Sequence, residues 1–134
     1  MSIRAIPLLV FAFVLYNIIV LTMGEDALTR QIFEIRLLSG GTWHFNWGDF
    51  ILLVTLVLLF IEIVKSTFTS TSTLIDHALS MIVFIAVGVE FLTVEQASTS
   101  VFFLILVATM IDVIGGYTIG IRVARRDLSI GADQ

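Results

Sequence analysis

The segment from Val101 to Arg122 reads VFFLILVATMIDVIGGYTIGIR. Its apolar run is long enough to cross a bilayer once as a helix. Asp112 nevertheless stands near its middle, about ten residues and roughly 15 Å of helix from Arg122. So short a side chain cannot snorkel to the surface from there. A carboxylate at that depth is costly unless it faces protein or water. Steps of four residues from Ala108 reach Asp112, Gly116, Gly120 and Ala124. These share one helical face, on which every residue but Asp112 is small. Gly116 and Gly120 form a GxxxG element, which admits a second backbone at close range. The stripe predicts that Asp112 faces another helix rather than lipid. It serves there for packing and hydrogen bonding, or as part of an ion or proton path. Partners for that half within the chain are Thr55 and Lys65 in the second apolar segment and Ser80 in the third.

The rest of the chain agrees with a bilayer as solvent. Of 134 residues, 58% are hydrophobic and 13% charged, against about a quarter charged in soluble domains. A chain this short could not hide so much apolar surface in a single water-soluble core. Besides 101–121, the segments 6–23, 50–64 and 74–94 are apolar enough to span. The reading is an all-α membrane protein, a four-transmembrane-helix bundle forming one domain over 1–134. The first segment is read as a retained helix: only Arg4 precedes it, its apolar run exceeds a usual signal core, and no A-x-A-like site follows. With four spans, Arg4, Lys65, Arg122, Arg125 and Arg126 share a side, against Arg30 and Arg36 on the other. That bias places both termini in the cytoplasm of a bacterial inner membrane.

The first loop is the longest and is expected on the periplasmic side. In GEDALTRQIFEIRLLSGG, Leu28, Ile32, Ile35 and Leu38 recur at helical spacing, which predicts a short amphipathic helix lying at the interface. After it, Trp43, Phe45, Trp47 and Phe50 form an aromatic belt at the headgroup level. His44 is expected within that belt.

Polarity inside the spans gathers toward the arginine-bearing side. Glu62 and Lys65 share a face near the end of the second segment. Asp76 and His77 open the third, with Asp76 placed to cap it, and Ser80 lies one turn deeper. The group serves as an interhelical lock, as a proton-exchanging site through His77, or, most weakly, as a metal site of Glu62, Asp76 and His77. Glu90 is expected to pair with Arg30 or Arg36, and Asn17 to bond between helices.

Several chemistries have no basis here. There are no cysteines, hence no thiolate chemistry. Neither a nucleophile elbow, a phosphate loop nor a metal motif occurs, so no catalytic residue, enzyme activity, metal or cofactor is expected. No basic stripe points to nucleic acid. Partners are the lipid bilayer and other membrane-protein subunits or the chain itself. The leading expectation is a small inner-membrane protein acting by helix association, as an accessory, assembly or stabilising subunit or as a homo-oligomer. The alternative is an oligomeric proton or ion channel or transporter using Asp112 with Glu62, Asp76 and His77.

Overall fold

The computed structural model describes residues 6–68 and 71–132. Four helices make up most of it: α1 (Leu9–Met23), α2 (Trp47–Lys65), α3 (Thr71–Thr93) and α4 (Ser100–Ala132). Two strands, β1 (Gln31–Arg36) and β2 (Thr42–Asn46), lie between α1 and α2. Helices α2, α3 and α4 contain stretches long and apolar enough to cross a membrane. Helix α1 is a shorter apolar helix of 15 residues, or about 22 Å. Arg4, which enters the charge count, lies outside the described residues.

The bundle is arranged as a lipid solvent requires. Large apolar side chains point outward on every helix, among them Ile18, Leu56, Phe60, Ile82, Leu92, Phe103 and Ile114. The interior divides along its length. Near the hairpin it is apolar, built from Tyr16, Ile19, Val20, Ile51, Val87, Phe102 and Ile105. The Tyr16 and Phe102 rings meet edge to face at 4.9 Å. Toward the far end the buried residues turn polar: Glu62, Ser66, Asp76, His77, Ser80, Thr109 and Asp112. Polar groups inside and apolar groups outside invert the soluble pattern.

The first loop departs from expectation. Residues Gln31–Arg36 form no interfacial helix. A 3-10 turn at Glu25–Thr29 leads into an antiparallel hairpin that pairs Phe33 with Phe45, Ile35 with Trp43, and Glu34 with His44. The cause is alternation. Phe33 and Ile35 fall on one face and Glu34 and Arg36 on the other, and β-branched or aromatic side chains favour a pleated surface. Gly40 closes the turn at φ +90, a conformation that costs glycine little. Phe33, Trp43 and Phe45 form one aromatic cluster, with Phe33 stacked on Phe45 at 4.7 Å. His44 lies on the opposite face from it, with Nδ1 2.8 Å from Gln31 Oε1 and 3.3 Å from Glu34 Oε2.

The hairpin passes directly into α2, where Asn46 and Asp49 make a reciprocal capping box. Trp47 and Phe50 sit in the first turn of α2 with their rings 5.8 Å apart. Helix α4 continues to Ala132, past the apolar segment that ends at residue 121.

Candidate functional site: a buried polar centre

Lys65 is the hub of the polar half. Its Nζ donates to the Ile6 carbonyl at 2.8 Å, to Glu62 Oε1 at 2.9 Å and to Asp76 Oδ1 at 3.2 Å. All three donors of the ammonium are thereby engaged. Glu62 Oε1 also accepts from the Leu8 backbone N–H at 2.8 Å. The group thus ties the segment before α1, the end of α2 and the start of α3 together. Asp76 is the sixth residue of α3 and therefore not its cap; its partner is Lys65 instead.

Asp112 joins the same centre from α4. It is 3% exposed and lies beside Ser80, with Glu62 and Lys65 close enough to act on it electrostatically. Among the described residues it has no ion-pair partner. The four-residue stripe is largely covered by the chain itself: Ala108, Asp112 and Gly116 are buried, Gly120 is half-buried and Ala124 is exposed.

What covers the two glycines is a ring rather than a backbone. A Cβ built on Gly116 would stand 2.9 Å from His77 Cε1 and 3.1 Å from His77 Nδ1. One built on Gly120 would stand 3.3 Å from His77 Nε2. The imidazole therefore lies along the GxxxG surface, with the Tyr117 ring 5.1 Å away. Any larger residue at 116 would collide with it.

Among the described residues, four buried side-chain atoms lack a hydrogen-bond partner: Glu62 Oε2, His77 Nε2, Ser80 Oγ and Glu90 Oε2. Three of the four belong to this centre. Unpartnered buried polar atoms are rare in native structures and carry a desolvation cost. The charges are unequal as well: Glu62, Asp76 and Asp112 oppose the single ammonium of Lys65. Among the described residues no group of three or more His, Asp and Glu stands in an arrangement able to hold a metal ion.

Two other expectations fail at the hairpin end. Glu90 does not meet Arg30, whose guanidinium reaches Asp26 at 3.4 Å. Asn17 bonds within its own helix, to the Phe13 carbonyl at 2.9 Å. The interhelical bonds come from its neighbour: Tyr16 Oη donates to the Gln96 carbonyl at 2.8 Å and lies 2.7 Å from Thr99 Oγ1. Tyr117 and Ser66 join the polar end without a motif in the sequence that marks them. The only hint for Tyr117 was its place between the two glycines.

No protein-family model matches the chain, and neither curated proteins nor solved structures give a match.

Proposed function

We propose that the chain is a four-span inner-membrane protein that takes up and releases protons at its buried polar centre, as a small carrier. Asp112 is the exchanging acid, and Lys65, Glu62 and Asp76 form the fixed frame around it. The observation that carries this reading is the charge imbalance. Three buried carboxylates face one ammonium whose donors are all engaged, so the excess negative charge calls for a counter-charge. With no metal-holding arrangement among the described residues, a proton fits best. The cytoplasm takes the end bearing Arg122, Arg125 and Arg126 by the positive-inside bias.

Purified protein in liposomes containing a pH-sensitive dye tests the reading. An imposed pH gradient should collapse faster than in empty liposomes, and Asp112→Asn should remove the effect. Gradient decay indistinguishable from empty liposomes, for the parent chain over a range of pH, would dispose of it.

The second reading is association with another membrane protein or a second copy. Its footing is the last residue of the stripe, Ala124, which is exposed. Recovery of a strictly monomeric species from native membranes and from mild detergent would count against it.

A further inference from the structure

We infer that His77 is the relay through which Asp112 exchanges its proton with the arginine-bearing end of the bundle, and that Gly116 and Gly120 are small in order to seat its ring. The inference rests on the proton-carrier reading and adds a route and a side to it.

Three observations converge on it. First, the imidazole is positioned by close contact with two glycines. It lies across both glycines, with its Nε2 end over Gly120 and its Nδ1–Cε1 edge over Gly116. Second, the two ends of the ring look in different directions along α4. The Cβ position of Gly120 is 3.3 Å from Nε2 and 3.9 Å from the Ser66 carbonyl oxygen, at the end of α2. The Cβ position of Gly116 is 3.1 Å from Nδ1 and 3.8 Å from Asp112 Oδ1. Imidazole and carboxylate thus both border the Gly116 position, without a direct hydrogen bond between them. Third, Nε2 is a buried atom with no partner, on a residue that is 5% exposed. A histidine held only for packing would be expected to satisfy both nitrogens.

The charged groups that act on the ring are Glu62 and Lys65 of α2; Asp76 is its neighbour in sequence, and on α4 the Tyr117 ring lies 5.1 Å away while Asp112 borders the same Gly116 position. Lys65 neutralises its two carboxylate partners in part. Asp112 has no such partner, which leaves it as the acid that His77 can serve.

The step balances as a two-site transfer. A neutral imidazole protonated at Nδ1 accepts a proton at Nε2 from the arginine-bearing end. The imidazolium then releases its Nδ1 proton to the Asp112 carboxylate across the gap beside Gly116, which must close to hydrogen-bond distance for the transfer. Asp112 gains one proton, the ring's charge is unchanged and its tautomer is inverted. Reverse transfer restores the starting state.

The chain has two histidines, and His44 lies on the exposed hairpin, away from the centre. In a His44→Gln background His77 is the only imidazole, and its side-chain nitrogen NMR signals can be followed against pH in lipid nanodiscs. The expected result is a titration midpoint that shifts when Asp112→Asn is added. Identical midpoints would overturn the inference. A glycine pair guards against loss of folding in the first variant. Gly116→Ala should displace the His77 signals, whereas Gly115→Ala, where an added Cβ meets nothing within 4 Å, should not. Unchanged His77 signals in Gly116→Ala would also overturn it. Flux separates the two claims. If the parent chain moves protons and His77→Gln moves them equally fast, the relay is wrong and the carrier stands. If the parent moves none, the carrier reading fails, and the nitrogen titration alone decides whether His77 and Asp112 form an exchanging pair.

Discussion

Lys65 holds Glu62 at 2.9 Å and Asp76 at 3.2 Å, one ammonium between carboxylates from two helices. Its side chain is 16% exposed and both partners are nearly fully buried. Removing the cation would leave two carboxylates uncompensated, a loss of about 3–5 kcal/mol for a buried pair. Lys65→Met should therefore unfold at markedly lower denaturant in detergent. The double variant Lys65→Met/Glu62→Gln should recover part of the loss. Parent-like stability of the single variant would contradict the hub.

Tyr16 fastens the opposite half. Its hydroxyl contacts the Gln96 carbonyl and Thr99, in the connection between α3 and α4. Tyr16→Phe keeps the ring against Phe102 and deletes only these bonds, at a cost of about 1–2 kcal/mol. Hydrogen exchange should show faster opening of residues 95–99. Unchanged protection there would mean the hydroxyl does not hold the turn.

The hairpin should be separable from the bundle in its energetics. Every β1 residue is exposed, and the turn is closed by Leu37 N–H to Gly41 O at 2.8 Å and Gly40 N–H to Leu37 O at 3.0 Å. Gly40→Val places a β-branched residue at positive φ, costing about 1–2 kcal/mol. The amide of Leu37 should lose protection while the helices keep theirs. A matching loss in α2 would show that the hairpin and bundle open together.

Because the chain has no cysteine, single cysteines report its orientation without background. Ser39→Cys in the hairpin turn should react with an impermeant maleimide in intact cells. Ser129→Cys near the end of α4 should react only after permeabilisation. The opposite pattern would reverse the assigned topology.

The long helices were legible because their apolar runs exceed what any soluble strand or helix needs. The hairpin was not, because QIFEIR satisfies two periods at once. Ile32 and Ile35 fit a helical spacing, and Phe33 with Ile35 fit a pleat. The tie is broken by the aromatic pairing with TWHFN across the turn, a contact between segments that no single window contains. The polar residues could likewise be picked out from the spans in which they occur. Their convergence could not, since helix faces meet only through tertiary packing. A GxxxG element signals an absence of side chains on one face. It does not say whether a backbone or a ring from α3 fills the space.

The division of the interior has a kinetic meaning. On the proton-carrier reading, a proton entering at the arginine-bearing end meets acceptors as far as Asp112. Beyond it the next buried residues of α4 are Thr109, Ala108, Ile105 and Phe102, the last with Tyr16 against its ring. That stretch is an insulator. On that reading, the polar centre of this conformation is closed toward the hairpin side. Passage to the other side would require the Tyr16–Phe102 contact to part in each cycle. Turnover should therefore saturate with the driving gradient, as in a carrier, rather than rise with it as current through an open pore does.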